Sequence, residues 1–157
     1  MARNGVGVST NTQILEAKPS VVWEILADGW LYPLWVVGAS RVRDVDEGWP
    51  AVGSRIHHSV GVWPLLIDDN TEVLECRPGS LLRLRARAWP VGEAGVTLRI
   101  SAAGTGTEIV IGEDAVRGPG TLVPRPLRGV ALKWRNVETL RRLAYIAERR
   151  PSQATAE

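Results

Sequence analysis

The 157-residue sequence contains no phenylalanine and a single cysteine, Cys76. One thiol excludes an internal disulfide and any cysteine-based metal site built within one chain. A half-buried strand thiol is the ordinary reading of such a residue. Long apolar runs are missing as well. The longest, Trp30 to Gly38, is broken by Pro33 and falls far short of the roughly 20 residues that cross a bilayer. Met1 to Gly7 lacks the apolar stretch of a secretory leader, so the cytoplasm is the expected compartment.

Histidine is scarce, and the two present, His57 and His58, are adjacent. Neighbours on a strand point to opposite faces, so they cannot readily ligate one ion, and no third ligand stands at a telling spacing. No metal is expected. Ser59 faces away from His58 on a regular strand, which leaves no poised nucleophile for a hydrolase. The glycines of "AGTGTEI" lack the Lys and following helix of a phosphate loop and read as a hairpin. With no nucleotide signal elsewhere, no cofactor is expected.

Tryptophan, by contrast, is abundant, with seven copies. Apolar residues make up 45% of the chain and charged residues 23%, the balance of one folded domain. That domain is expected over residues 8–150, with flexible ends at 1–7 and 151–157. The net charge of +2 conceals an asymmetry: Arg117 to Arg150 holds nine basic residues against Glu138 and Glu148, a local +7. A basic segment therefore sits on an acidic body.

Val8 to Ala17, rich in Thr, Val and Ile, reads as a strand. Pro19 suits the first turn of a helix, Val22, Trp23, Ile25 and Leu26 supply its apolar face, and Asp28-Gly29 ends it. Pro33 starts a second short helix at Leu34 to Val37. Six strands are then expected at 41–46, 54–62, 69–76, 81–89, 96–102 and 107–116, joined by short Gly-, Pro- and Asp-bearing turns that favour antiparallel pairing. Alternation puts Leu82, Leu84 and Ala86 opposite Arg83, Arg85 and Arg87. Ile56, Val60 and Val62 share a parity with His58.

The chain closes with a helix from Pro124–Pro126 to Arg150, about 37 Å long. Val130, Trp134, Val137, Leu140, Ala144 and Ala147 define its expected inner side, and Arg128, Arg135, Arg142 and Arg149 an outer stripe.

The segments "AKPSVVWEILAD", "YPLWVVGASRVR", "VGSRIHHSV", "TEVLECRPGSLLRLRA" and "GTEIVIGED", with the closing helix, resemble the START-related helix-grip superfamily. That superfamily includes polyketide cyclases and dehydratases, lipid-transfer domains and the birch-pollen-allergen group. The run "DEGWPAVGSRIHHSVGVWP" resembles a bacterial subgroup. The resemblance implies an α+β fold: a seven-stranded antiparallel curved sheet wrapped around a long C-terminal helix, with two short helices between strands 1 and 2. It also implies an apolar ligand cavity between sheet and helix, and an entrance wall at "GWLYPLWVVG".

Candidate lining residues are Trp30, Tyr32, Trp35, Ile56, His58, Val60, Leu84, Leu98, Trp134 and Val137. Bulky Trp134 beside small Ala144 and Ala147 would leave volume toward the C-terminal part of the helix. His58 is the best acid–base candidate by parity; Tyr32, Glu72, Glu113 and Asp114 are weaker, the acids being expected at surface turns and strand edges. Three readings follow: a carrier of a hydrophobic small molecule, which is favoured; a cyclase- or dehydratase-like enzyme using His58; and a module whose basic helix meets an anionic membrane or an acidic partner. The expected state is a monomer or homodimer. The stripe lacks interleaved exposed aromatics for base stacking, so nucleic acid is not an expected partner.

Overall fold

The computed structural model describes residues 9–88, 92–117 and 124–150. The expectations for residues 1–7 and 151–157 lie outside them. Seven strands, β1 (Ser9–Leu15), β2 (Ala39–Val45), β3 (Arg55–Val62), β4 (Leu65–Arg77), β5 (Leu81–Ala88), β6 (Gly92–Ala103) and β7 (Gly106–Arg117), form one sheet in the order β1-β7-β6-β5-β4-β3-β2. Every neighbouring pair is antiparallel. Between β1 and β2 lie α1 (Pro19–Ala27), a 3-10 turn (Gly29–Leu31) and α2 (Tyr32–Trp35), and α3 (Arg125–Arg149) ends the fold. This is the helix-grip architecture that the sequence implies.

Local chemistry accounts for the junctions. Pro19 stands in the first turn of α1, where a missing N–H costs no hydrogen bond. At the other end the Asp28 N–H caps the Glu24 and Ile25 carbonyls. The Asp28 carboxylate in turn accepts from the Trp30 N–H at 3.1 Å, which starts the 3-10 turn. A side chain at Gly29 would strike Val45, so the chain can pass close over β2 only with glycine there.

Strand parity holds across the sheet. Leu82, Leu98 and Ile111 stand in register on the concave face, as do Leu84, Val96 and Glu113. Register shifts in β2 and at Val73–Glu75 in β4 bend the strands and help the sheet to curl. Two strands are longer than their composition suggests. The apolar "WPLLIDD" is mostly β4: the turn is Trp63-Pro64, and Leu65 already pairs with Val62. β6 likewise begins at Gly92 rather than Val96, since backbone pairing with β5 outweighs the weak strand propensity of Gly and Glu. The short second helix begins at Tyr32, two residues before the expected Leu34.

α3 packs on β1, β7, α1 and α2, and its rotation departs from the expected one. Leu140, Leu143, Ala144 and Ala147 are buried with Asn136 and Thr139, whereas Val130, Trp134 and Val137 are exposed. The inner stripe contains two polar residues, and apolar periodicity alone therefore misjudged its phase.

Candidate functional site in the concave face

Beneath α3 the concave face carries an unusual amount of polar chemistry. β4 presents Thr71, completely buried, and β3 presents His58, also buried. The two are held two positions out of direct register, because His58 pairs with Asp69 and Thr71 with Ile56. α2 brings Tyr32 down onto them. The Thr71 hydroxyl lies 2.9 Å from both the Tyr32 hydroxyl and His58 Nε2. The Tyr32 ring stacks on the imidazole at 5.4 Å and meets Trp35 edge-on at 5.3 Å.

A threonine hydroxyl has one proton, so it donates to one of these neighbours and accepts from the other. Burial raises the Tyr32 pKa and keeps the phenol protonated. Burial also lowers the His58 pKa, against the opposing charge of Asp69, and leaves the imidazole neutral at pH 7. The Arg135 guanidinium also acts electrostatically on Tyr32, against the effect of burial. His58 Nδ1 is buried without a hydrogen-bond partner among the described residues.

Arg135 also pairs with Glu113. Glu113 is 1% exposed and faces the interior from β7, one strand beyond Val96. This overturns its expected place at a strand edge: parity puts it in line with Ile109 and Ile111, and the arginine of α3 compensates its charge. Beyond that ion pair neither carboxylate oxygen receives a hydrogen bond among the described residues. Asn136 Nδ2, Trp35 Nε1 and Asn11 Oδ1 are likewise buried and without a hydrogen-bond partner among the described residues. Such groups cost free energy unless something hydrogen-bonds to them.

The other candidate residues are divided among different places. Ile56, Leu84 and Leu98 are in the core, and Val60 is half-buried at the same parity. Tyr32 and Trp35 face inward, but Trp30 is exposed and lies with Trp49 in an open hollow of about 520 Å³ bordered by Glu24, Asp28, Asp46 and Glu47. The aromatic stretch is thus split by the 3-10 turn instead of forming one cluster. Trp134 and Val137 face solvent. Glu72 is on the convex face, held below the usual carboxylate range by hydrogen bonding to Arg85. The Asp114 side chain lies outside the described residues. Thr71, Asn136, Arg135 and Thr139 were missed, although Thr71 shares the parity of Val73 and offered a legible signal.

The expected arginine stripe is largely engaged. Arg135 turns inward, Arg142 pairs with Glu138 at 3.0 Å, and Arg149 lies 4.1 Å over the Tyr145 ring. The Arg128 side chain lies outside the described residues. His57 bonds Asp46 at 3.2 Å on the face opposite His58, and Ser59 bonds Asp68 at 2.8 Å. Among the described residues no group of His, Cys, Asp and Glu could hold a metal ion. Burial raises the Cys76 pKa and disfavours a reactive thiolate.

A family profile described as polyketide cyclase / dehydrase and lipid transport matches residues 7–148, nearly the entire chain. The protein belongs to that family. No curated protein matches the sequence. Solved structures similar to this polyketide cyclase/dehydrase family member include protein MLL2253 from Mesorhizobium loti, with 21% identity and a TM-score of 0.68 over 93% of this chain and all of that one. Ara h 8.0201 is 11% identical with a TM-score of 0.71, again over 93% and 100% of the two chains. The di-domain ARO/CYC StfQ from the steffimycin biosynthetic pathway is 12% identical with a TM-score of 0.69, over 90% of this chain and 51% of that one. These likenesses establish the shared fold. No helix among the described residues is long and apolar enough to cross a membrane.

Proposed function

We propose that this family member binds a hydrophobic small molecule between the concave sheet face and α3, with an oxygen-bearing end of the ligand at the Glu113–Arg135 and Tyr32–Thr71–His58 groups. The observation that carries this reading is Glu113: a carboxylate 1% exposed, paired with one guanidinium and otherwise without hydrogen bonds among the described residues. An interior serving stability alone is better filled by apolar side chains, which commonly match or exceed a buried ion pair in stability. Unpartnered Asn136 and Trp35 donors add capacity for a carbonyl or hydroxyl oxygen. The surrounding Leu, Ile and Val side chains suit an apolar body, and ten buried methylenes contribute about 8 kcal/mol of gross transfer free energy. Association and immobilisation costs offset much of this, which leaves micromolar affinity within reach.

The test is titration with matched apolar compounds, with and without hydroxyl or carbonyl groups, followed through tryptophan fluorescence and checked by native mass spectrometry of the purified protein. Saturable binding that favours the oxygenated compounds and weakens in Glu113→Gln supports the reading. A flat response over a broad panel, with no co-purified apolar compound, overturns it.

A cyclase- or dehydratase-like activity is the second reading, and the Tyr32–Thr71–His58 chain favours it. Here Thr71 joins a protonated phenol, able to act as an acid, to a neutral imidazole, able to act as a base toward a substrate. A polyketide-like substrate turned over by the wild type and equally by His58→Gln removes this assignment; loss of turnover with retained binding supports it.

A further inference from the structure

The antiparallel order gathers the β3–β4 turn, the start of β2, the end of β5, the start of β6 and the end of β7 at one end of the sheet. α3 starts seven residues after β7. The β3–β4 hairpin projects there with an atypical tip. An ordinary half-buried strand alternates wet and greasy faces, but Val62 and Trp63 follow one another, as do Leu65 and Leu66, so both faces of the tip are apolar. Val62, Trp63 and Leu65 are 81%, 81% and 80% exposed. Gly61, at φ +110° and with the Leu65 carbonyl where a Cβ would stand, keeps the two strands tight behind the turn. The first turns of α3 add exposed Leu127, Val130 and Trp134.

Charge distinguishes this end from an ordinary sticky surface. From Arg117 through Val137 the sequence has no acid and, besides Arg135, which is taken up by Glu113, four basic residues. Exposed Lys133, between Val130 and Trp134, has no ion-pair partner among the described residues. A second copy docked face to face would bring the same bases together, whereas an anionic lipid surface complements them. Indole rings, apolar with one N–H, suit the headgroup boundary.

We propose that this end of the protein docks on anionic bilayers, with the Val62–Leu66 hairpin tip inserted at the headgroup boundary and the first turns of α3 lying against it. The contact is through the tip and the N-terminal half of α3, not through the 135–142–149 stripe, whose side chains are engaged elsewhere. It is independent of what the interior binds.

The experiment is co-sedimentation of the full chain with phosphatidylcholine vesicles prepared with and without phosphatidylglycerol, at low and high salt. Binding should require phosphatidylglycerol, weaken with salt, and be accompanied by a blue shift of tryptophan emission. The double variant Trp63→Ser/Leu65→Ser should lose at least about tenfold in partitioning, since two of the inserted apolar groups are gone. Its melting temperature should not change, because both side chains are exposed. Lys133→Glu should lose roughly tenfold on phosphatidylglycerol vesicles. Absence of partitioning overturns the proposal, as does partitioning indifferent to the hairpin variant. Concentration-dependent self-association in sedimentation velocity that the hairpin variant abolishes, without vesicle binding, assigns the tip to a second copy and also overturns it.

Discussion

His58 and Glu113 show how one interior handles two ionisable groups differently. The imidazole is kept neutral by burial, so its folded pKa lies below the unfolded value of 6.5. Between those two values the unfolded state binds more protons, and stability rises with pH. Stability from this group is therefore complete above about pH 6.5 and declines as the pH falls below it. Urea midpoints measured from pH 7.5 down to pH 5 should fall in the wild type and fall less steeply in His58→Gln. Equal slopes would remove His58 as the source. Glu113 is instead buried in an ion pair with Arg135. Arg135→Ala leaves that carboxylate buried and uncompensated, at an expected cost of about 3–5 kcal/mol at neutral pH. In a double variant with Glu113→Gln the loss should shrink substantially. A double-mutant cycle by denaturant unfolding reads the coupling directly.

At the scale of the element, α3 is the informative case. Its length, its start at a proline pair and its end near Arg149 were all legible, because helix-forming residues, prolines and the basic end act locally. Its rotation was not. The expected inner side holds at Leu140, Ala144 and Ala147 but not at Val130, Trp134 and Val137; the buried side turns instead through Asn136, Thr139 and Leu143, which fit the curved sheet. Leu143→Ala should destabilise by about 2–5 kcal/mol, while Trp134→Ala should change stability by less than about 1 kcal/mol. Thermal unfolding of the pair decides between the two rotations. The β3–β4 hairpin makes the complementary point: a run read as a connection because Pro64, Asp68 and Asp69 punctuate it is strand from Leu65 onward, since the β3 backbone supplies hydrogen-bond partners there.

For the whole molecule, the long sheet and the helix bring together side chains as distant in sequence as Tyr32, Thr71, Glu113 and Arg135. A ligand seated among them binds only the folded chain and should raise its stability by about 2.7 kcal/mol at a hundredfold excess over Kd. For a domain of this size that is a rise in melting temperature of roughly 5–10 °C. Scanning calorimetry with a ligand found by titration tests it. An unchanged melting temperature at saturating ligand would mean that the folded and unfolded chains bind it equally, which a site assembled only by folding does not do.

By itself the sequence determined the strand parity, the element order, the opposed directions of His57 and His58, and the membership of a helix-grip family. These follow from backbone period and turn chemistry, which act over a few residues. Only the tertiary structure decided that Arg135 turns inward to Glu113, that Trp30 parts from Tyr32 and Trp35, and that Thr71 joins a phenol to an imidazole. The rotation of a helix over a sheet, and the pairing of charges across it, depend on the shape of both packed surfaces together, and no local pattern encodes that shape.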